Sequence, residues 1–561
     1  MYCDKTNVNE LTALMLSHGI EDVVVCPGSR NGVLVHNFVV AGTERPVSGE
    51  VSERAGKGFF NVCPVTDERS AGFVALGISL AVHRPVAVCV TSGSALLNAL
   101  PAVAEAFYRH IPLLVISADR PAKWVGQLDG QTLPQVGALE PYAKTFSADE
   151  PAAGDDGWFC NRTINEALLS LAHEGGRPVH INVPVSEPLF SFTTTALPEV
   201  RVVREFCRPE NAAFPEELTE MLRTARFPVL LAGQYEPMAP AGLSRIEEKG
   251  CLLVLPEILA NSPGCWRTCL IENGPGEFAP DVVVQIGGNM VNKRIRQLLR
   301  KNRDCRVIRI ASDNDFPDTF GHLHSVVRAD PERVLPELAE RLPAHPAVMA
   351  ARAGMESRRA CADGFVPGHF SDVGVMQRLS RRLCLREVGA LHFGNSSVIR
   401  NATYFFDGGV CPIFCNRGVN GIEGTLSAAA GYSLADDGLS LVMIGDLSFF
   451  YDQNALWNRR LRGNLRILLF NNGGGQIFRR LPGLSATVAR DTYIAAEHSD
   501  TAEGIAAAFG LHYLPVRNYE DWDTAVEEWL DRSHERPVLM EVFTRQDDNE
   551  EDRILLNTFY Q

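Results

Sequence analysis

From Leu439 to Gly475 the chain reads LSLVMIGD, a polar and aromatic spacer, then LRILLFNNGGG. Two short apolar runs that stop abruptly at polar residues read as buried strands of a parallel sheet. Asp446 and Asn472, at the two polar ends, stand 26 positions apart, which leaves room for one crossover helix. Parallel strands finish at the same sheet edge, the edge where α/β proteins bind ligands. A carboxylate, an amide oxygen and glycine carbonyls meeting there form a hard-oxygen site of the kind Mg2+ takes together with phosphate oxygens. A helix starting after Asp446 would aim its N-terminus at the same spot and favour a diphosphate.

The same alternation of apolar runs and helical segments continues along the 561 residues, which predicts α/β architecture with mainly parallel sheets. In the first block, EDVVVCPG, RPVAVCVTSG, IPLLVISAD and GRPVHINVPV read as strands. Asn9–Ser17, Ser70–Val82 and Ala95–Phe107 read as helices. A middle block carries FPVLLAG, CLLVLPE, DVVVQIGG and CRVIRIAS. A last block carries GALHFGNSS, CPIFCNRG, LSLVMIGD, LRILLFNN and RPVLMEVF. Ser191–Glu205 and the proline- and alanine-rich Glu340–Met355 read as linkers. Three α/β domains are expected, at residues 1–190, 205–340 and 356–561, without a residue-level repeat.

Bulk properties exclude several classes. A net charge of −15 speaks against a nucleic-acid surface. No charge-free apolar run reaches membrane-spanning length, and the start MYCDKTNVNELTALML has acidic residues and no apolar core of a secretory signal. Fourteen cysteines lie scattered without CxxC pairs, mostly in apolar stretches. This fits core thiols in a reduced, cytoplasmic protein and gives no zinc spacing. Neither GxGxxG after a strand nor GxxxxGK occurs, so dinucleotide binding and nucleotide hydrolysis lack support.

Several motifs resemble one family. CPGSR (26–30), TDERSAGFVALGISLA (66–81), TSGSALLNALPAV (91–103) and SADRP (117–121) are similar to the pyrimidine-binding domain of thiamine diphosphate enzymes. GNSSVIR (394–400), NRGVNGIEGTLSAAAG (416–431), GDLSFFYDQNAL and NNGGGQIF are similar to their diphosphate-binding domain. The match is closest to the menaquinone-pathway branch, which shares GDL in place of the usual GDG. The middle block matches mainly at GNMVNKRIRQLL (288–299).

The resemblance implies thiamine diphosphate with Mg2+, or Mn2+ in its place. It also implies a reaction that decarboxylates 2-oxoglutarate and adds the resulting succinyl unit to isochorismate. It makes Glu68 the catalytic carboxylate that bonds the cofactor's pyrimidine nitrogen. Asp446, Asn472 and the Gly474 carbonyl become the metal ligands, with Gly473 as the other choice for the third. Thr91, Ser92, Gly93, Leu447, Ser448, Gln476 and Ile477 would line the cofactor, and Ile422 would be the apolar residue beneath it. Ser29, Arg30, Arg120, Gln131, Lys293, Arg294, Ser396, Arg400, Arg417, Phe478 and Leu481 would contact substrate, with Gln135 an alternative to Gln131. Six cations converging in an acidic chain would suit substrates with two carboxylates each. Sites shared between two copies, in a homodimer or a dimer of dimers, are also implied.

Taken singly, these residues have plainer readings. Glu68 could be a helix N-terminal acid, Asp446 a cap, Asn472 a turn residue, Ile422 a core side chain and each arginine a solvated charge. Other readings of the whole are a thiamine enzyme acting on a different 2-oxo acid, or a catalytically silent binding protein on the same fold.

Overall fold

The structure, a computed structural model, describes residues 1–43, 59–152, 156–206, 214–274, 278–479, 481 and 483–560. Three sheets form, all parallel throughout. The first contains β1 (Asp22–Val25), β2 (Asn61–Pro64), β3 (Val86–Val90), β4 (Leu113–Asp119), β5 (Lys144–Ser147) and β6 (Val179–Pro184), in the order β2-β1-β3-β4-β6-β5. The second contains β7 (Pro228–Ala232), β8 (Leu253–Pro256), β9 (Val282–Ile286), β10 (Arg306–Ala311) and β11 (Leu323–Arg328), in the order β11-β10-β9-β7-β8. The third contains β12 (Val388–Phe393), β13 (Ile413–Phe414), β14 (Leu439–Gly445), β15 (Leu465–Asn471), β16 (His512–Val516) and β17 (Val538–Phe543), in the order β13-β12-β14-β15-β17-β16.

The first and third sheets thus share one topology, and the second repeats its opening part. In each, the second strand lies on one side of the first and the third on the other. This places a crevice, the topological switch point, beyond the ends of β1/β3, β7/β9 and β12/β14. Strands covered on both faces must be apolar at every position, and β3, β4, β7 and β9 are buried throughout. In β7, Val229 and Leu231 enter one core and Leu230 and Ala232 the other, the two-residue alternation of a strand covered on both sides.

The chain divides into two compact units. One is Met1–Arg208 with Leu426–Asp436 and Asp452–Leu461; the other is Pro209–Thr425 with Asp437–Tyr451 and Arg462–Gln561. Two segments of the last block therefore pack with the first sheet. Within that unit the helix Glu68–Val82 is buried at every residue from Ser70 to Leu80. It meets Leu426–Asp436 through glycine: a Cβ on Gly77 would lie 1.9 Å from the Ala428 carbonyl oxygen, and one on Gly431 2.1 Å from that of Val74. Asp452 joins the two inserted segments, accepting from the Ser427 amide at 2.8 Å and its hydroxyl at 2.7 Å.

Local outcomes differ from expectation in three places. The β14–β15 crossover is a six-residue helix, Asp446–Tyr451, followed by a 3-10 turn, Gln453–Leu456, because Asp452 turns inward between them. The predicted helix Ala95–Phe107 is split into Ser94–Asn98 and Leu100–Arg109, with Pro101 opening the second. The expected linker Glu340–Met355 is largely helix Pro346–Ala362, whose Val348 and Met355 enter the core of the second sheet. Free thiols are found at every cysteine side chain described, all buried except Cys384. No described helix is long and apolar enough to cross a membrane.

Candidate active site

In the second unit, Asp446 follows β14 and is buried, and its carboxylate is held by backbone amides. Oδ1 accepts from Leu447 at 2.7 Å, and Oδ2 accepts from Asn472 at 3.2 Å and Gly474 at 2.9 Å. Burial pushes the Asp446 carboxyl upward, while the Gly474, Leu447 and Gly473 amides and the nearby His498 pull it down. Asn472 follows β15. Its Nδ2 donates to Asp372 at 2.9 Å, whereas its Oδ1 is buried with no hydrogen-bond partner among the described residues. The turn behind it needs glycine: Gly473 and Gly474 have φ of +78° and +135°, and a Cβ on Gly474 would come within 2.8 Å of the Ala495 oxygen.

An unsatisfied buried amide oxygen beside an amide-bound carboxylate is the donor set of a hard divalent cation, so these residues fit Mg2+. The Gly473 carbonyl accepts from His498 and that of Gly474 from Gln476, so both remain candidates for a third ligand. Leu447 and Ser448 begin the helix Asp446–Tyr451, and Gln476, Ile477 and Phe478 form the helix Gln476–Arg479. Gln476 ties back to the Asn472 carbonyl at 3.0 Å. Leu481 and Ile422 are each 40% exposed, apolar surface available to a ligand.

A positive field lies in the same unit. Arg417, three positions beyond β13, is buried and donates to Asn395 Oδ1 (3.2 Å) and the Met290 carbonyl (3.3 Å). Arg400 donates to the Ser396 carbonyl at 2.8 Å, and Ser396 has φ +73°, an uncommon conformation for serine and one that recurs at functional sites. Lys293 opens the helix Lys293–Lys301 beyond β9. Arg400 and burial hold the Lys293 ammonium below its ordinary range; burial and Arg417 do the same to Arg400.

Arg294 has its guanidinium bound by the carbonyls of Glu272 and Gly274. Arg296 also joins the field: it acts on Lys293 and Arg400 and is itself lowered by burial and Arg417. Glu257, fully buried, accepts from the Val291 and Asn292 amides at 3.1 Å each and so fixes the loop leading to Lys293. Burial pushes its carboxyl up to about 7, with Arg417 opposing. One cleft is lined by Glu257, Glu272, Asn292, Lys293, Arg400 and Tyr404.

In the first unit, the candidate residues also follow strand ends. Ser29 and Arg30 lie beyond β1, Glu68 beyond β2, Thr91, Ser92 and Gly93 beyond β3, and Arg120 beyond β4. The two loops at the β1/β3 crevice touch, for a Cβ on Gly28 would collide with Thr91. Asp67 caps the helix Glu68–Val82 through the Ser70 amide (2.9 Å), which leaves Glu68 half-buried with Asn98 donating to it at 3.2 Å. Thr91 Oγ1 and Ser92 Oγ are buried without partners among the described residues.

Arg30 is buried and pairs with Glu187 at 3.0 Å; Arg120 pairs with Asp129 at 2.6 Å. The two glutamines separate by role. Gln135 is buried and accepts from the Gly93 amide at 2.7 Å, while Gln131 is exposed at φ +61° with its Cγ against Gly93. Arg296, Glu257, Asp372 and His498 were not visible in the sequence reading. Asp372 sits 100 positions from the asparagine it holds and belongs to no motif.

Both the first and the last block match known families. Residues 6–139 match the N-terminal TPP (thiamine pyrophosphate, that is, diphosphate) binding domain of thiamine pyrophosphate enzymes, and residues 401–542 the C-terminal TPP binding domain. Two relatives are both described as 2-succinyl-5-enolpyruvyl-6-hydroxy-3-cyclohexene-1-carboxylate synthase. That of Bacteroides thetaiotaomicron is 39% identical, across 100% of this chain and 99% of the relative. That of Phocaeicola vulgatus is also 39% identical, with the same coverage. Benzoylformate decarboxylase from Polynucleobacter necessarius shares the fold, with a TM-score of 0.70 over 97% of this chain and 99% of that one, at 16% identity. The chain belongs to the 2-succinyl-5-enolpyruvyl-6-hydroxy-3-cyclohexene-1-carboxylate synthases, within the thiamine pyrophosphate enzymes.

Proposed function

We propose that this chain is a cytoplasmic, Mg2+-dependent thiamine diphosphate carboligase. It would release CO2 from 2-oxoglutarate and add the remaining four-carbon unit to isochorismate in a 1,4 sense, giving 2-succinyl-5-enolpyruvyl-6-hydroxy-3-cyclohexene-1-carboxylate for menaquinone biosynthesis. The observation that carries this reading is the field of Lys293, Arg296, Arg400 and Arg417 in one unit of an acidic chain. Such a field suits two substrates that each bear two carboxylates.

When bound, thiamine diphosphate supplies the carbanion chemistry, and the protein supplies position and charge. Asp446, Asn472 and a carbonyl of Gly474 or Gly473 hold Mg2+, or Mn2+ in its place. Leu447, Ser448, Gln476 and Ile477 line the diphosphate, while Ile422 supports the rings. Glu68 holds a proton at its carboxyl against the pyrimidine nitrogen, and the turn Thr91–Gly93, backed by Gln135, flanks it. Arg30, Arg120 and the second-unit cations bind substrate carboxylates; Ser29, Gln131 and Ser396 add polar contacts, and Phe478 and Leu481 exclude water. Arg294, already bound by two carbonyls, acts by shaping the loop. Glu68 of one copy and Asp446 of another serve one site, which makes a homodimer the minimal active unit.

The test incubates the chain with thiamine diphosphate, Mg2+, 2-oxoglutarate and isochorismate and looks for the adduct by mass spectrometry. CO2 release without adduct would move the assignment to another 2-oxo acid enzyme. Cofactor binding without CO2 release would indicate a silent binding protein.

A further inference from the structure

Behind each of the two side chains assigned to the metal stands a residue that supplies no ligand, hydrogen-bonded in one case and in close electrostatic approach in the other. Asp372 is buried and firmly anchored: its Oδ1 accepts from Thr544 Oγ1 at 2.7 Å and its amide donates to Asn549 Oδ1 at 2.7 Å. Its Oδ2 faces Asn472 at 2.9 Å. A carboxylate only accepts, so the nitrogen end of the Asn472 amide must turn toward it. The oxygen end is then presented on the other side, where it is buried without a partner among the described residues.

Asp446 is treated in a similar way. Its Oδ2 accepts two backbone amides and lies 3.4 Å from His498 Nε2, which makes no hydrogen bond among the described residues, while Oδ1 accepts from Leu447. His498 Nδ1 accepts the Asp500 amide at 3.2 Å, which makes Nε2, the nitrogen facing the carboxylate, the N–H side of the ring. The ring is 12% exposed and stands edge-on to Phe450, with centroids 5.4 Å apart. Its loop is strapped to the glycine turn by Gly475 N–H to Ala495 (2.6 Å) and His498 N–H to Gly473 (3.2 Å).

We propose that Asp372 and His498 are positioning residues that set metal affinity, leaving Oδ1 of Asn472 and Oδ1 of Asp446 as the two side-chain oxygens offered to the cation. The proposal rests on the metal reading of Asp446 and Asn472 given above. It adds that ligand orientation is imposed by these two outer residues, as outer partners do at metal sites.

The experiment titrates the full-length chain with Mn2+ in the presence of thiamine diphosphate and follows the electron paramagnetic resonance signal of the free ion. Asp372→Asn, which can turn an N–H toward Asn472, and His498→Leu, which removes the ring N–H, should each weaken Mn2+ binding by about 10- to 100-fold. His498→Gln, which keeps a donor, should recover most of the loss. Thermal midpoints without metal should stay within a few degrees of the parent. Mn2+ affinities of the folded variants within about twofold of the parent, or losses that merely track the midpoint without metal, would overturn the proposal; if His498→Leu fails to fold, Asp372→Asn decides with the same readout. Asp446→Asn is the control for the underlying reading: if it binds Mn2+ like the parent, the metal assignment itself fails, a result distinct from failure of the two outer variants alone.

Discussion

Glu68 owes its availability to its neighbour. Asp67 takes the capping role at the start of the helix Glu68–Val82, so the next carboxylate is left half-buried, with the Asn98 amide as its hydrogen-bond donor and no capping duty. Glu68→Gln should therefore lower turnover by about 100- to 10,000-fold, the usual worth of a positioned acid–base group, with the thermal midpoint unchanged. Normal turnover by that variant would remove Glu68 from the chemistry. Glu257 offers a test through pH. Its folded pKa, about 7, lies above the ordinary value of 4.5 because of burial, so the folded chain holds this proton more tightly than the unfolded one. The stability it contributes is complete below the unfolded value and is lost as pH rises through about 7. On raising the pH from about 5 to about 8, the parent's thermal midpoint should fall relative to that of Glu257→Gln. A constant difference over that range would show that Glu257 is not the titrating group.

At the scale of elements, the apolar central strands were legible because burial on both faces leaves no polar position to blur them. The edge strands β5, β11 and β16 were not. Their burial is partial and irregular, as at Lys144, Leu323–Arg328 and His512–Val516, and edge strands carry polar residues without penalty. The helix Glu68–Val82 shows the other gap between pattern and structure. Its sequence, ERSAGFVALGISLAV, is apolar nearly all round, which signals burial without naming the partner. The partner is Leu426–Asp436, several hundred positions away, and Gly77 with Gly431 lets the two backbones meet. Gly77→Ala should destabilise the first unit by roughly 1–3 kcal/mol or more, since the added methyl meets a carbonyl oxygen and not a yielding side chain. Chemical denaturation would read this as a lower midpoint, and an unchanged midpoint would show that these helices separate readily.

At the scale of the molecule, the candidate residues fall into two sets, Glu68, Thr91, Ser92, Gly93, Ser29, Arg30, Arg120 and Gln131 in one unit and the metal and cation residues in the other. If the site is shared between copies as proposed, mixing inactive Glu68→Gln with inactive Asp446→Asn should restore part of the activity after subunit exchange. A mixture that stays inactive would place both groups in one chain. The strand-end motifs were readable in advance because a strand's polar stop and the loop after it are contiguous in sequence, and the chemistry of carboxylate, amide and glycine follows from residue type. Which side chains stand behind them was decided only by folding. Asp372 reaches Asn472 and His498 comes up to Asp446 through the folding together of segments far apart in the chain, and Arg296 meets Arg400 and Arg417 in the same way. Ligand identity is a property of short segments, whereas ligand orientation depends on packing across the whole domain.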